Sequence, residues 1–287
     1  MKNKPDKPDK PDEPGLETGG RLGVGYKLFV MKHPLTLVKV GGAVVEDDAR
    51  LDALLASFAA IDGRKMLVHG GGRRATAIAS RLGVETQMVG GRRITDQAML
   101  EVVTMVYGGL VNKNVVARLQ ACGVDAIGLT GADGGAMLSH KRPVKDVDYG
   151  FVGDVERVDG DRLASLIEGG LTPVLAPLTH DGRGHLLNTN ADTIAAEAAK
   201  ALAARYDVTL VFCFEKPGVL ADPDDDTSLI PVITCQDFAR LAADGTVSGG
   251  MLPKLENAFS AISAGVSRVN ITISTAIDGR HGTMIVP

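Results

Sequence analysis

The sequence predicts an α/β fold, an open layered αβα sandwich around a mostly parallel sheet. Near-continuous apolar runs rich in β-branched residues alternate with longer stretches of helical periodicity, the pattern of parallel strands covered on both faces. Glycine-rich turns follow the first two of those runs. Composition agrees: 35 of 287 residues are glycine and none is tryptophan, which suits loops that bring backbone close to a ligand better than an aromatic β-sandwich core.

The elements follow in chain order. Residues 4–12 read KPDKPDKPD, a repeat that cannot bury apolar surface, so 1–34 is expected to be a disordered Pro/Asp/Lys-rich extension. Either Met31 is the functional start or residues 1–30 are a dispensable tail. LTLVKV at 35–40 gives the first strand, VGG ends it, and a helix is expected over 46–60. KMLVH at 65–69 gives the second strand, and three glycines open a helix over 73–82. A long amphipathic helix is expected over 96–121, then a strand over 124–130 (VDAIGLT). The stretch AMLSHKRPVKDVDYGFVGDVERV, 136–158, breaks the alternation, and its Gly, Asp and Val spacing reads as a β-hairpin that could form a flap over a ligand. Then come a helix at 161–168, a strand at 171–178 (LTPVLAPL), a helix at 191–205 capped by Asn190, a strand at 208–214 (VTLVFCF), a helix at 251–265 and a strand at 269–274 (VNITIS).

The hydrophobic fraction of 45% and charged fraction of 23% are ordinary for a soluble globular protein. A formal net charge of −4 gives no global attraction to nucleic acid or anionic lipid, so any phosphate binding must be local. Cys122, Cys213 and Cys235 are odd in number and widely spaced, as expected of free thiols in a reducing cytoplasm. No apolar run approaches the length needed to span a bilayer.

Two helix starts break an electrostatic rule. In GGMLPKLENAF, Pro253 suits the first turn, because its missing N–H would have had no helical partner. Lys254 does not, because helix N-termini carry partial positive charge. Arg73 and Arg74 do the same after the triple glycine. Cations and exposed N–H groups converging at glycine turns suit an anion such as phosphate or carboxylate; singly, each could equally be a solvated surface charge. No Walker A string exists. Gly70 to Ala75 satisfies the relaxed dinucleotide pattern G-x-G-x-x-A, which keeps a nicotinamide oxidoreductase as an alternative, although three consecutive glycines satisfy many patterns. In LLNTNAD, Asn190 and Asp192 read as a normal helix cap with a well-placed acid; equally, Asn188 could hold a polar substrate while Asp192 orients lysines. His69 is expected to position its loop by hydrogen bonding, and His180 and His185 flank a turn with no third metal ligand.

VKVGG, VHGGGRRAT, GRRIT (91–95), NTNAD (188–192) and GGMLPK (249–254) occur in the order and approximate spacing of the acetylglutamate kinase branch of the amino-acid kinase family, which the chain resembles over essentially all of 35–287. The resemblance implies transfer of the ATP γ-phosphoryl group to the side-chain carboxylate of N-acetylglutamate, or of another N-acyl-glutamate such as N-succinylglutamate, in arginine biosynthesis. It implies that Lys39 and Lys254 stabilise the transition state, with Asp192 fixing their ammonium groups. Gly71, Gly72, Arg93 and Asn188 would hold the acyl-glutamate. Gly41, Gly42, Glu215, Lys216, Pro217, Gly218, Val219, Leu220, Thr246, Val247 and Ser248 would meet the nucleotide. Residues 35–205 would form the acyl-glutamate lobe and 206–287 the nucleotide lobe. Magnesium would be held through nucleotide oxygens and water, with no protein metal site. The helix at 100–120 would serve a homodimer, and proline repeats in place of an N-terminal helix imply a dimer without arginine feedback. The chain departs from the family at Phe214-Glu215-Lys216, where relatives carry a Thr/Ser-Asp pair. A non-catalytic amino-acid-sensing regulator on the same scaffold is the remaining alternative.

Overall fold

The run LTLVKV becomes β1 (His33–Val40), in the middle of an eight-stranded sheet. Its last four residues are all buried, as expected of a parallel strand with helices on both faces. The structure, a computed structural model, describes residues 32–287. The proline repeat, the expected start at Met31 and the inference about arginine feedback lie outside the described residues. The chain continues through α1 (Gly42–Glu46), α2 (Asp48–Ala59), β2 (Arg64–His69), α3 (Gly72–Arg81), β3 (Met88–Val89), β4 (Arg92–Arg93) and α4 (Gln97–Val103). A π-helical segment, Thr104–Val111, joins α4 to α5 (Asn112–Ala121). Next are β5 (Ala126–Leu129), β6 (Met137–Lys141), β7 (Gly153–Val158), α6 (Gly160–Glu168), β8 (Thr172–Leu175), β9 (Leu178–His180), β10 (Leu186–Asn188) and α7 (Ala191–Ala203). The last part carries β11 (Tyr206–Phe214), β12 (Val232–Ile233), α8 (Cys235–Ala243), α9 (Met251–Ser263), β13 (Arg268–Ile273) and β14 (Thr283–Ile285).

The main sheet has the order β12-β14-β13-β11-β1-β2-β8-β5, and β13 with β14 is its one antiparallel pair. Alternate residues of its strands feed two cores. Leu37, Val68, Leu210 and Phe212 join Ile194, Leu202 and Leu255 on one face. Val38, Val40 and Val211 join Leu54, Phe58 and Val103 on the other. Because β1 pairs with β11 along its whole length, the sheet runs unbroken through the expected lobe boundary at residue 205. Lys32 Nζ donates to the Ala203 carbonyl, so the last residues of the expected extension belong to the folded unit.

Several expectations need correction. The helix expected over 46–60 forms as α2, its start capped by the Asp47 carboxylate, which accepts the Arg50 N–H at 3.0 Å, but the short helix α1 before it was not expected. The strand over 171–178 stops at Leu175, and after Pro177 the chain leaves for another sheet. The 136–158 excursion does form an antiparallel pair, β6 with β7, but as half of a four-stranded sheet of order β10-β9-β6-β7. Helix α8 was not expected, although Thr234 and Asp237 form a reciprocal capping box at its start.

Candidate active site

The carboxyl ends of β1 and β2 lie side by side, and their glycine turns touch. Gly70 N–H donates to the Val40 carbonyl at 2.9 Å. A Cβ on Gly70 would fall 2.9 Å from Gly42 N, too close for any side chain. Gly41 was expected to meet the nucleotide; its N–H is committed to the Cys213 carbonyl at 3.1 Å. The N–H groups of Gly42, Gly71 and Gly72 have no acceptor among the described residues. They lie close together: a point one Cβ bond from Gly42 is 3.4 Å from Gly71 N and 3.5 Å from Gly72 N. Converging unpaired N–H groups at two helix starts form an anion-binding nest.

Beside the nest, three charged residues meet. Lys39 Nζ lies 2.7 Å from Asp192 Oδ1, and Lys254 Nζ lies 3.3 Å from Asp192 Oδ2. Lys39 and Asp192 are buried, while Lys254 is 22% exposed. Three elements fix the group: Lys39 comes from β1, Asp192 from the first turn of α7 and Lys254 from the start of α9. The Asn190 side chain accepts the N–H groups of Asp192 at 2.8 Å and Thr193 at 3.1 Å, so the acid sits at the positive end of α7. Burial pushes the Asp192 carboxyl up, but Lys39 and then Lys254 outweigh it and hold the group below the usual carboxylate range. Asp192 therefore stays ionised, with one ammonium group on each oxygen.

A cavity of about 200 Å³ opens next to this triad, lined by Gly70–Gly72, Arg93, Tyr107 and Asn188–Ala191 among others. Arg93 is 8% exposed and has no carboxylate within 4.0 Å among the described residues. Its Nη2 donates to the Gly72 carbonyl at 2.8 Å and Thr76 Oγ1 at 2.9 Å. A buried guanidinium without a counterion costs desolvation and awaits an anion. Asn188 Nδ2 donates to Thr95 Oγ1 at 2.9 Å. The structure thus brings Gly71, Gly72, Arg93 and Asn188 to one cavity. Sequence reasoning missed Arg92, Met88, Val152 and Tyr107 in the same lining. Arg92 was visible beside Arg93 in GRRIT. Tyr107 was hidden in a helix read as core, where the π-helical turn sets it against Gly71.

A second cavity, of about 280 Å³, lies between the end of β11 and the start of α9. Phe214, Lys216, Gly218, Val219, Leu220, Thr246, Val247, Ser248 and Met251 line it. A Cβ on Gly218 would fall 2.4 Å from Leu229 and 2.6 Å from Thr283 Oγ1, so glycine is required there. Glu215 and Pro217 do not line it. Glu215 turns instead toward Arg73, 3.6 Å away. Chain neighbours of the triad border both cavities: Asn190 and Ala191 line one, and Met251 lines the other. Among the described residues no group of three His, Cys, Asp or Glu is arranged to hold a metal, and no helix is long and apolar enough to cross a membrane.

The amino acid kinase family model matches residues 34–272. Curated relatives include proteins named acetylglutamate kinase from Phocaeicola vulgatus, 65% identical over 89% of this chain and 99% of the relative, and from Methanopyrus kandleri, 42% identical over 88% and 100%. Similar solved structures include one from Streptococcus mutans, 26% identical with a TM-score of 0.74 over 88% of this chain and 98% of that one. A carbamate kinase from Giardia lamblia, 14% identical with a TM-score of 0.63 over 90% of this chain and 99% of that one, shares the fold. Nothing in these likenesses supports a nicotinamide oxidoreductase or a non-catalytic regulator. The chain belongs to the amino acid kinase family.

Proposed function

We propose that the protein phosphorylates the side-chain carboxylate of N-acetyl-L-glutamate with ATP, giving an acyl phosphate for arginine biosynthesis. The observation that carries this reading is the pair of lysines on opposite oxygens of Asp192, with their chain neighbours Ala191 and Met251 each lining a cavity. Phosphoryl transfer asks for in-line positioning and for neutralisation of spreading negative charge, with little covalent work by the protein.

The cavity with Arg93 and Asn188 takes the acyl-glutamate. Arg93 receives a carboxylate, and the side-chain carboxylate to be phosphorylated points toward Gly42, Gly71 and Gly72. The cavity at Lys216–Leu220 and Thr246–Ser248 takes the nucleotide, so the two lobes contribute one substrate each. Lys39 and Lys254 then flank the migrating phosphoryl group, and Asp192 holds their ammonium groups apart without drawing the proton from either. The acceptor carboxylate is already ionised at neutral pH and needs no general base. Magnesium, which neutralises phosphate oxygens when bound, would arrive on the nucleotide. Both Asp192 oxygens already face lysines, so this chain's part is to hold the phosphates it accompanies.

On the surface of the helical run from α4 to α5, Met105 and Leu110 are exposed, at 54% and 38%. A second copy of the chain covers that face in a homodimer, and the enzyme works in the cytoplasm. The test is ATP-dependent formation of a hydroxamate from N-acetylglutamate, N-succinylglutamate, glutamate and aspartate, with Lys254→Ala as control. Activity with N-acetylglutamate that the control lacks is expected. Turnover of none of the four would overturn the proposal, and preference for the succinyl substrate would correct the acyl group.

A further inference from the structure

His69 is fully buried at the end of β2 and takes no part in the chemistry set out above. Its Nδ1 lies 2.7 Å from the Gly70 carbonyl oxygen, and its Nε2 lies 3.2 Å from Asn112 Nδ2. Asn112 Nδ2 also donates to the Val174 carbonyl at 3.0 Å, and Asn112 Oδ1 accepts from Lys113 Nζ at 3.1 Å. A carbonyl only accepts and an ammonium only donates, so these two neighbours settle which end of the amide is which. Asn112 therefore donates to His69 Nε2, and the imidazole proton sits on Nδ1, from which it reaches Gly70. Burial pushes the imidazole down to about 4, so the ring is neutral at working pH.

In a trans peptide the C=O and N–H point in opposite directions. With the Gly70 carbonyl drawn to His69, the N–H of the next residue, Gly71, is turned the other way. That N–H has no acceptor among the described residues, and Gly71 lines the cavity with Arg93. A separate observation shows that Asn112 has a reserved place. A Cβ on Gly128, in β5, would fall 2.0 Å from Asn112 Oδ1, although the backbone there has no positive φ. Asn112 and its neighbour Lys113 require glycine at that position.

We propose that His69, locked in one tautomer by Asn112, is a positioning residue that orients the Gly70–Gly71 peptide so that the Gly71 N–H is presented to the anion in the acceptor cavity. The identity of that anion rests on the phosphoryl transfer proposed above; the geometry of the peptide does not. His69 touches neither substrate, and its effect passes through one backbone N–H.

The test compares the full chain with His69→Leu, His69→Asn and Gly128→Ala, reading kcat and KM for both substrates and the ¹⁵N spectrum of the imidazole. Outright loss of an oxyanion donor costs about 10²–10³ in kcat, so misaiming one should cost roughly 10- to 100-fold in His69→Leu, with both KM values within about threefold. His69→Asn offers an N–H where Nδ1–H stood and should recover to within about fivefold of the unaltered chain. Gly128→Ala, which displaces Asn112, should lower kcat as His69→Leu does. The spectrum should show a neutral ring protonated at Nδ1. A ring protonated at Nε2, an unchanged kcat in His69→Leu, or equal losses in the leucine and asparagine variants would each overturn the inference. If His69→Leu fails to fold, the spectrum of the unaltered protein and the kcat of Gly128→Ala decide. If the unaltered protein phosphorylates no acyl-glutamate, the proposed reaction fails by itself, and the spectrum decides the peptide geometry.

Discussion

Replacing Asp192 with asparagine keeps the volume and removes the charge that two lysines share. With Nζ–O separations of 2.7 and 3.3 Å, each contact carries on the order of 5–6 kcal/mol of raw coulombic attraction at an effective dielectric of about 20. Desolvation of the buried carboxylate offsets much of that, and solvent screens the share of Lys254. Removing one partner of a buried ion pair costs about 3–5 kcal/mol, and the partial exposure of Lys254 places this case near the lower end. The pH dependence has a definite sign. The Asp192 carboxyl is held below its unfolded value, so its stabilisation is complete above about pH 3.9 and is lost as pH falls through the lower folded value. The variant should therefore unfold about 3 kcal/mol more easily in urea at pH 7, with the gap narrowing in strong acid. Turnover in the hydroxamate assay should fall by about 10²-fold, since the freed ammonium groups repel each other away from the phosphoryl path. A variant with kcat and urea midpoint both unchanged at pH 7 would refute this account of the triad.

Arg93→Lys loses a planar fork that now makes four contacts, and KM for the acyl-glutamate should rise roughly 10- to 100-fold in steady-state assays with kcat nearly constant. Gly70→Ala sets a methyl against Gly42 N, and the turns must part; a stability loss of about 1–3 kcal/mol by urea titration, with most activity gone, is expected. Because burial lowers the His69 imidazole to about 4, lowering pH from about 6.5 toward 4 should destabilise the unaltered protein relative to His69→Asn by about 1.4 kcal/mol per pH unit, and above pH 7 their difference should no longer change with pH. Leu110→Glu places a charge on the exposed apolar face near Met105, and sedimentation should show a dimer becoming monomer while the fold by circular dichroism is retained.

Burial made the main sheet legible. Residues 210–213 face helices on both sides, so selection for apolar residues acts at every position and writes an unbroken run, which Lys39 alone interrupts in the neighbouring 37–40. Strands β9 and β10 have three residues each, too few for any periodicity to register, and the second sheet was therefore read as a hairpin. The triad was legible for a different reason. Lys254 violates a local electrostatic rule whose compensation, Asp192, lies 62 positions away in sequence, and an uncompensated local cost is visible in one dimension. Which glycine N–H groups are free was not legible, because Gly41 spends its donor on the Cys213 carbonyl, a partner supplied by strand pairing. The π-helical turn was equally hidden, since its composition matches the α-helix around it and only the resulting direction of Tyr107 reveals it. Helix α8 was legible and passed over: TCQD carries the capping box outright.

The departure at Phe214-Glu215-Lys216 and the two arginines after the triple glycine explain each other. Arg73 and Arg74 open α3, where cations are disfavoured, and both were candidates for an anion site. Glu46 Oε1 accepts the Arg74 N–H, so a carboxylate already occupies the positive end of that helix. Arg73 Nη1 lies 3.6 Å from Glu215 Oε1. An aspartate at 215, one carbon shorter, would leave that gap open by about another 1.5 Å. The side chains are 67% and 48% exposed, and a pair of this kind contributes at most about 1 kcal/mol. Its importance lies elsewhere. With Glu215 beside it, Arg73 is paired at the start of α3, while Arg92 and Arg93 line the cavity with no carboxylate within 4.0 Å among the described residues.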